Sequence, residues 1–474
     1  MSATDIKNAL NMKKIFTLLA LMVAIAASAD FRTIDLDDNL DVREILKTDT
    51  MTLDSLKVKG YLNHHNLYFI SWMTNRKLEY IDLSECRLEN DEMPEYGLNP
   101  TPFLFNEDYE YYSKLAYVKL PESLRSIGDW AFTCSKLESI DIPESVEYVG
   151  RCVFSSCKRL RGTVKFPEGI TNIMDDCLYF CAYVDTVVIP STVEVIEIGA
   201  LAGLMSMTEI SFPKTLKEIK DFSCRSWLSY YGDMVLPASL EYIGIASFQD
   251  TRINSLAFEE GSQITEIPYW AFRNSKIRKL SFPERLESIG DLSFSRNLCT
   301  ELVFPETLRW IGDESFLQSE YLERIVLPSN IASIGDRAFD NCHVLKDVYI
   351  KATVPPTIMT ETFEQPADMK LYVPVGAREA YAAAEYWKDF GEIVEVEEFP
   401  SAGREAVIAA SEAVRAFGAC GAAVIEGDGC GYSIYAADGR MVAAGTANGR
   451  TEVALPRGIY IIDTAGGAHR IAVR

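Results

Sequence analysis

Histidine is scarce in this chain, and the motifs of the common enzyme classes do not occur in it. The four histidines are His64, His65, His343 and His469. If His64 and His65 lie on a strand, their side chains point to opposite faces and do not chelate one ion together. The sequence contains no H-E-x-x-H zinc motif, no G-x-S-x-G nucleophile motif and no P-loop. We therefore predict that the protein is not an enzyme and holds no metal or cofactor.

Basic residues are also fewer than acidic residues. The 474 residues include 46 Lys and Arg against 69 Asp and Glu, which gives a formal net charge of −23. A nucleic-acid partner requires a basic stripe to neutralise its phosphates, so we predict no such partner. The simplest interpretation of the acidity is solubility of a secreted surface protein, and a specific site for a cation or a basic ligand is the alternative.

Only one long apolar run occurs, and it lies near the N-terminus. Residues 12–29 begin with a methionine and two lysines, continue through an uncharged apolar stretch and end in Ala27-Ser28-Ala29. A basic start, a short apolar core and an A-x-A site are typical of a secretory signal peptide. We assign residues 1–29 to this signal, with Met12 as the expected true start. No other stretch is long and apolar enough to span a bilayer, so we predict no transmembrane helix after signal removal.

A unit of 22 to 24 residues recurs about ten times between Ala116 and Ile350. Each unit carries an anchor, which is an isoleucine or valine at 127, 149, 173, 196, 219, 243, 267, 289, 311 and 334. Five residues after the anchor stands a second apolar residue, most often phenylalanine, as at 132, 154, 248, 272, 294, 316 and 339. A period in the low twenties fits leucine-rich repeats and is too short for helical-pair repeats or propeller blades.

Within each unit the pattern L-x-x-I-x-I-P predicts one short strand that stops at a proline, as in the segment from Leu322 to Pro328. Alternate apolar residues share one face of a strand, and proline cannot donate to a ladder. In six units a glycine follows the anchor, which indicates either a turn with positive φ or a close approach of two backbones. Only stacking covers the apolar edges of such units, so we predict a solenoid whose ten units form a strip roughly 45–50 Å long.

The eleven cysteines raise the question of disulfides, because the chain is predicted to be exported. Cys157, Cys181 and Cys342 occupy one slot of the unit, and Ser319 occupies the same slot in another copy. A slot shared by Cys and Ser favours a small, weakly polar, buried group, so we predict free structural thiols rather than disulfides or metal ligands. For the two cysteines beyond residue 400 the sequence leaves pairing open.

Composition and pattern divide the chain into six segments. They are a signal peptide at 1–29, an N-terminal cap with irregular repeats at 30–115, leucine-rich repeats at 116–350, a C-terminal cap at 351–399, a linker at 400–426 and a small β domain at 427–474. In the caps, residues 67–73 and 377–390 are predicted to be helical and residues 370–374 to form a strand. The predicted fold class is a repeat solenoid of leucine-rich repeats, mostly β with short helical or irregular segments, plus a small C-terminal antiparallel β domain.

The repeat I-P-x-x-[VL]-x-x-I-G-x-x-A-F-x-x-C resembles the BspA-like class of bacterial leucine-rich repeats over about residues 50–396. The copies from Ile142 to Cys157 and from Leu327 to Cys342 match it best, whereas the copies with anchors at 173, 196 and 219 lack its glycine and phenylalanine. The resemblance implies an exported or surface protein of a Bacteroidetes-type bacterium. It also implies a non-enzymatic role, often linked to attachment to host matrix proteins or other cells.

The C-terminal residues are similar to the sorting domain of the type IX secretion pathway. The matching stretches run from Tyr435 to Arg440 and from Leu455 to Tyr460, followed by the final Val473-Arg474. The Ala-rich segment before them is not typical of that domain. This resemblance implies that the chain crosses the outer membrane and is secreted or held at the cell surface.

The variable strand positions are the candidate ligand-binding residues, because repeat proteins bind partners on the exposed face of their strands. They are Glu138, Asp141, Asp185, Glu209, Arg278, Lys279, Glu323, Arg324, Lys346 and Tyr349. Asp347 is a further variable position between the last two. We predict that these residues bind a protein ligand on a host or bacterial surface, and a solvated polar face without a partner is the alternative for any one of them.

Aromatic residues outside the repeat template raise glycan binding as a second hypothesis. They are Trp227, Tyr230, Tyr231, Tyr269, Trp270, Trp310 and Tyr321. Exposed Trp and Tyr rings act as hot spots for protein partners, and they also stack on sugars. For Trp270 and Trp310 we favour packing between units over exposure.

Overall fold

The computed structural model describes residues 31–37, 40–99, 113–401, 415–419, 422–436, 441–455, 458–464 and 467–473. The predicted signal peptide lies outside these residues. The chain divides after Pro400 into two compact units. The first is a β-solenoid of about 15 turns and the second is a small antiparallel sheet, so the predicted fold class is confirmed.

The first feature of a coil is a strand that precedes the proline. These strands pair in parallel with those of neighbouring coils in four successive sheets of four, two, three and five strands, and inward residues such as Ile325 and Val348 meet in register with no exposed surface. We call this column the first ladder. Its strands are Phe31–Leu36, Ser55–Leu62, Tyr80–Leu88, Tyr117–Lys119, Arg161–Lys165, Tyr183–Val188, Asp233–Leu236, Ser255–Phe258, Lys279–Leu280, Glu301–Val303, Arg324–Leu327, Asp347–Ile350, Lys370–Pro374 and Glu392–Val396.

The anchor residues form a second parallel ladder, which the sequence pattern did not predict. Each of its strands is two residues long and ends at the buried anchor, so that Ile289 pairs with both Ile267 and Ile311. The strands of this second ladder are Glu92–Met93, Ser126–Ile127, Tyr148–Val149, Asn172–Ile173, Val195–Ile196, Glu218–Ile219, Tyr242–Ile243, Glu266–Ile267, Ser288–Ile289, Trp310–Ile311 and Ser333–Ile334. A two-residue strand is too short to give a periodic signal, so the sequence predicted only one strand per coil.

The phenylalanines that follow the anchors stack on one another through the core. Five of them, together with Phe363 of the C-terminal cap, lie face to face with ring centroids 5.1 to 5.5 Å apart, and the five are Phe248, Phe272, Phe294, Phe316 and Phe339. Their backbones continue the stacking, because the N–H of Phe294 donates to the carbonyl of Ser315 at 2.8 Å in the next coil. Where Leu178, Leu201 and Cys224 replace phenylalanine, the side chain is also fully buried.

The glycines after the anchors allow two coils to approach closely. A Cβ atom on Gly335 would lie 2.6 Å from the backbone nitrogen of Asp313, and one on Gly312 would lie 2.8 Å from that of Asp291. Positive φ occurs two residues later instead, at non-glycine residues such as Glu314 (52°) and Arg337 (52°). Of the two predicted roles for these glycines, the structure therefore shows close backbone approach.

The slot shared by Cys and Ser holds a buried hydrogen-bond donor. The thiols of Cys157 and Cys181 donate to the carbonyls of Phe132 and Phe154 in the preceding coil at 3.1 and 3.0 Å. In other coils the same bond is made from Ser275 to Phe248 O, Thr251 to Cys224 O, Asn297 to Phe272 O and Trp227 to Leu201 O. The prediction of free thiols is confirmed for the nine cysteines of the described chain. In most coils the polarity of the slot serves this bond to a carbonyl, whereas the hydroxyl of Ser319 has no partner among the described residues.

The helices lie in the two caps. The α-helices are Val42–Leu46, His64–Thr74 and Arg378–Ala383, and the short 3₁₀ helices are Lys47–Met51, Glu89–Asp91, Pro366–Asp368 and Trp387–Asp389. The predicted helix at 67–73 is confirmed within the helix His64–Thr74. Asn63 caps this helix, because its side chain accepts the N–H of Asn66 at 2.9 Å. In the part of the chain that the structure describes, no helix has the length and apolar character needed to cross a bilayer.

The predicted helix at 377–390 is wrong beyond Ala383. The chain becomes extended at Ala384 and takes a left-handed φ of 66° at Tyr386 before a single 3₁₀ turn. This break turns Trp387 into the core, where its indole N–H donates to the carbonyl of Pro356 at 2.8 Å and its ring meets that of Tyr381 at 5.3 Å. Covering the last coil therefore outweighs the helical preference of this Ala-rich segment.

The unit after Pro400 is an antiparallel sheet, as predicted. Its strands are Arg415–Ala419, Ala422–Ala436, Met441–Ala454, Gly458–Thr464 and Gly467–Val473. The long strand at 422–436 pairs with three of the others, and Ile434, Leu455 and Tyr460 form a small core. Strands thus already occur within residues 415–426, which the sequence had assigned to a linker. Cys420 lies outside the described residues, as do parts of both sorting-like stretches.

We predict that Phe294→Ala destabilises the solenoid by about 3–5 kcal/mol, because the ring is buried between Phe272 and Phe316 and its removal leaves a cavity. Chemical unfolding followed by circular dichroism measures the change. Tyr321→Ala is the control, since its ring is 56% exposed and its loss is expected to change stability by less than about 0.5 kcal/mol. Equal unfolding midpoints for the two variants would contradict this account of the core.

We also predict that Ser275→Ala destabilises the protein by about 0.5–1.5 kcal/mol, since the carbonyl of Phe248 loses one of its two donors and keeps the N–H of Thr251. Ser275→Cys is the matched variant, because cysteine makes the same bond in other coils, and we expect it to stay close to the wild-type stability. The same unfolding measurement applies. If the cysteine and alanine variants are equally destabilised, the slot is selected for size alone.

Candidate functional site

A row of alternating charges runs across the last coils of the first ladder. Its members are in register on five neighbouring strands, and they are Glu301, Arg324, Asp347, Lys370 and Glu392. Arg324 lies 3.7 Å from Glu301 and 4.0 Å from Asp347, and Lys370 lies 3.0 Å from Glu392. Neighbouring strands are about 4.8 Å apart, so each charge faces an opposite charge on the next coil.

A polar groove of about 440 Å³ opens beside this row. Backbone hydrogen bonds place Thr300, Glu323 and Lys346 one position before the charged row, on the same three coils. The turn that precedes the last of these strands supplies His343 and Val344. The complete lining is Thr300, Glu301, Glu323, Arg324, His343, Val344, Lys346 and Asp347.

The charges of the groove are incompletely satisfied by one another. Arg324 contacts its two carboxylates at 3.7 and 4.0 Å, which is longer than the 2.7–2.9 Å of a charge-assisted hydrogen bond. Its Nε atom is enclosed and has no hydrogen-bond partner among the described residues. Ion pairs this exposed contribute only about 0–1 kcal/mol to stability, so the arginine retains donors for a ligand.

Two stacked tyrosines border the charged row. The rings of Tyr349 and Tyr372 lie 4.1 Å apart and nearly parallel, and the hydroxyl of Tyr372 donates to Asp347 Oδ1 at 3.2 Å. Partial burial, together with the negative charge of Asp347, raises the pKa of Tyr372 to about 12. The guanidinium of Arg324 lies 6.0 Å from the ring of Tyr349. This edge of the groove is therefore an aromatic surface beside a cation.

The structure brings together three of the ten predicted residues in the groove and places Tyr349 at its edge. Glu323, Arg324 and Lys346 line the groove itself. The other six lie on earlier coils, and Glu138 is nine coils away from Tyr349, or about 40 Å at the usual strand spacing. A ligand that fills the groove therefore does not contact most of the predicted set.

The six remaining residues differ in their surroundings. Glu138 pairs with Arg161 and accepts the hydroxyl of Tyr117 at 2.8 Å. That environment, burial first and then the bond to Glu138, raises the pKa of Tyr117 to about 12. Asp185 is half-buried, and the exposed members are Asp141, Glu209, Arg278 and Lys279. Glu138 thus holds neighbouring coils together through Arg161 and Tyr117. The other five residues remain predicted contacts for a ligand.

Sequence reasoning did not single out Thr300, Glu301, His343 or Val344. Glu301 stands in the same template position as Arg324, but Cys299 replaces the leucine that usually begins the strand pattern. His343 and Val344 lie in a turn outside the template, and the imidazole Nδ1 of His343 lies 2.9 Å from Glu364. An alignment of the coils by their prolines would have found Glu301, whereas the turn residues carry no such signal.

The aromatic residues of the glycan hypothesis do not form one surface. Trp227 and Tyr230 are buried in the core, whereas Tyr231 and Tyr321 are exposed near the first ladder. Trp310 is 48% exposed, so its predicted packing between units is wrong. Tyr269 and Trp270 are stacked on each other with centroids 4.4 Å apart. None of these rings lines the groove.

Metal chemistry finds no support in the described residues. No group of three or more His, Cys, Asp and Glu side chains among them is arranged to hold an ion. His64 and His65 lie in the first turn of a helix and face separate carboxylates, at Glu89 and Asp41 respectively. The arrangement of the groove suits the binding of a charged ligand.

Comparison with protein-family profiles identifies the repeat. The family profile described as the BspA type leucine rich repeat region matches in six copies over residues 105–226 and 241–369, which is more than half of the chain. No curated protein matches the sequence.

Three solved structures are similar at low identity. A leucine-rich repeat protein from Bacteroides ovatus is 18% identical, with 72% of this chain and 91% of that one covered and a TM-score of 0.49. The pneumococcal vaccine antigen PcpA is 16% identical, with 78% and 91% covered and a TM-score of 0.33. A leucine rich cell surface protein from Faecalibacterium prausnitzii is 16% identical, with 66% and 84% covered and a TM-score of 0.33.

We predict that Asp347→Asn lowers the pKa of Tyr372, because the phenolate no longer forms beside a negative charge. NMR of ring-labelled tyrosine across alkaline pH measures the change. In the wild type this resonance is expected to titrate near pH 12. Glu301→Gln is the control, since its carboxylate does not contact Tyr372. An unchanged titration of Tyr372 in the Asp347 variant would refute the contact at the edge of the groove.

Proposed function

Since the chain belongs to the BspA-type leucine-rich repeat family, we propose that it is an exported, non-enzymatic interaction protein. In this proposal its leucine-rich repeat surface binds proteins on host or bacterial surfaces and so mediates adhesion. The observation that carries the proposal is the groove beside the alternating charges at Glu301, Arg324 and Asp347. A rigid row of alternating charges is complementary to a protein surface that carries the opposite alternation.

The location that we propose is the bacterial cell surface or the medium around it. The apolar run at residues 12–29 supports export, and the tail from Tyr435 onwards supports passage by a type IX pathway.

The rigidity of the coils favours binding without large rearrangement. Each groove residue lies on a strand of the first ladder or in the turn before it. The strands at Arg324 and Asp347 are paired on both sides, and the strand at Glu301 is paired on one side. A preformed surface loses little conformational entropy on binding. This supports recognition of a folded partner with a fixed pattern of charges.

Glycan binding, the second hypothesis from the sequence, has weaker support. The rings that motivated it lie on different parts of the coils, and the groove contains none of them. We therefore keep a glycan only as an outcome of the binding tests.

We predict that the double variant R324E/K346E weakens adhesion at least about tenfold, because it reverses the charges of the arginine and the lysine that line the groove. Saturable binding is measured by surface plasmon resonance against a panel of purified matrix proteins and whole bacterial cells. The wild-type interaction is expected to weaken as the ionic strength rises.

The control for this test is K158E/R159E, which makes the same change of charge at two exposed residues on a distant coil. It is expected to bind as the wild type does. Loss of binding in both variants would assign the effect to net charge alone. If the panel yields no saturable protein ligand, or if only an arrayed oligosaccharide binds, the proposal is refuted.

A further inference from the structure

A ladder of aspartates joins neighbouring coils next to the second ladder. In most coils the residue two positions after the anchor is an aspartate, and its carboxylate accepts the backbone N–H of the same position in the following coil. The bonds run from Arg151 to Asp129, Ile198 to Asp175, Ile245 to Asp221, Asp313 to Asp291 and Asp336 to Asp313, at 2.8 to 3.2 Å. We call this position the aspartate position. Its role is structural, since each carboxylate satisfies a donor that would otherwise lack one.

Arg151 and Ile198 replace the aspartate in single coils, and two successive coils in the middle of the solenoid both lack it. Ile245 and Tyr269 occupy the aspartate position there, between Asp221 and Asp291, and each is 38% exposed. Tyr242 projects from the second ladder on the same coil as Ile245 and is 45% exposed. The indole of Trp270 stacks on Tyr269 with centroids 4.4 Å apart. We call Tyr242, Ile245, Tyr269 and Trp270 the apolar patch.

The residues of the apolar patch destabilise the coils that carry them. With isoleucine and tyrosine at the aspartate position, the N–H groups of Tyr269 and Asp291 receive no carboxylate from the preceding coil. Large apolar side chains are exposed in exchange, and burial within the solenoid does not compensate for them. Positions that break a local structural rule without a gain in packing are characteristic of binding surfaces.

Unsatisfied polar atoms adjoin the patch. The indole Nε1 of Trp270 and the Nε of Arg273 are both enclosed and have no hydrogen-bond partner among the described residues. The guanidinium of Arg273 lies 5.4 Å from the centroid of the Trp270 ring. Atoms with so little exposed surface do not reach a partner, and leaving them unpaired adds to the cost of this arrangement within the solenoid.

Carboxylates surround the patch. Glu218, Asp221 and Glu266 lie close enough to Tyr242 to raise the pKa of its hydroxyl, after partial burial as the larger cause. Among the described residues Glu266 makes no ion pair, whereas Glu241 interacts with Lys217 and helps to raise the pKa of that lysine. The surface thus offers aromatic faces and unpaired negative charge together, and both attract lysine or arginine side chains.

We propose that the apolar patch is a second docking surface, which binds a segment of another protein that alternates basic with apolar side chains. Apolar side chains of the segment pack against Ile245 and the stacked rings of Tyr269 and Trp270, while a lysine or arginine of the segment meets Glu266. A second copy of this chain is a poor occupant, because the net charge of −23 opposes self-association. The patch lies on a different ladder from the groove, so this inference does not depend on the proposed function.

The double variant I245D/Y269D tests the proposal. It restores carboxylates at the aspartate position, where Asp291, Asp313 and Asp336 already stack in successive coils. The probe is a short fluorescent peptide that alternates lysine with leucine, and its binding to the full chain is followed by fluorescence anisotropy. We expect the wild type to bind it saturably and the variant to bind it about tenfold more weakly or worse.

The direction in which the affinity for the basic peptide changes distinguishes binding at the apolar patch from general electrostatic attraction. The variant carries two more negative charges than the wild type, so attraction by net charge alone would strengthen its binding to the basic peptide. The unfolding midpoint of the variant is expected to equal or exceed that of the wild type, because two backbone donors regain acceptors. A lower midpoint would contradict the claim that a carboxylate at the aspartate position stabilises these coils. In that case the variant Y269A tests separately whether the apolar patch binds the peptide.

The matched control is V354D/V375D, which adds the same charge at apolar residues that are 76% and 62% exposed and lie outside the patch. It is expected to bind the peptide as the wild type does. The proposal is overturned if the lysine-leucine peptide binds I245D/Y269D as tightly as it binds the wild type. It is also overturned if the wild type binds a peptide with glutamate in place of lysine equally tightly. Preference for an arrayed oligosaccharide over the peptide would also overturn it. The groove is unchanged in these variants, so its test stays separate.

Discussion

Every coil of this protein has apolar upper and lower edges, and only the neighbouring coil covers them. The Phe272, Phe294 and Phe316 rings illustrate the constraint, since each is buried only because the next one lies about 5 Å away. Two parallel ladders and the carbonyl-satisfying slot at Ser275 and its equivalents hold the backbones at the same spacing. The rest of the structure depends on this contact, because a coil without neighbours has no core of its own.

The stacking leaves the outward positions free to vary. Because the inward leucine, isoleucine and phenylalanine side chains provide the stability, exposed positions of both ladders can carry charges or aromatic rings at little cost. The solenoid uses this freedom in two ways. One end of the first ladder displays alternating charges with partly unsatisfied donors at Arg324, and the middle of the second ladder displays Ile245 and Tyr269 where a structural aspartate is the rule. The two surfaces suit different partners on one rigid body.

The caps show what happens where the stack ends. The last phenylalanine of the column, Phe363, meets Phe390 and Trp387 instead of another coil. Bringing Trp387 to that place requires the break in the helix after Ala383, with an extended Ala384 and a left-handed Tyr386. The need to cover an apolar edge thus decides the local backbone against the preference of the sequence.

The sequence by itself determined the repeat, the proline-terminated strands, the burial of Cys157 and the antiparallel tail, because each of these depends on spacing along one chain or on a slot repeated in it. It did not reveal the two-residue second ladder, since strands so short have no period to detect. It named Glu323, Arg324 and Lys346, but not that Thr300, His343 and Val344 join them. Only the tertiary structure decided which residues line the groove together. Outward side chains from separate coils meet through the stacking of the coils, and the repeat does not constrain which side chains become neighbours.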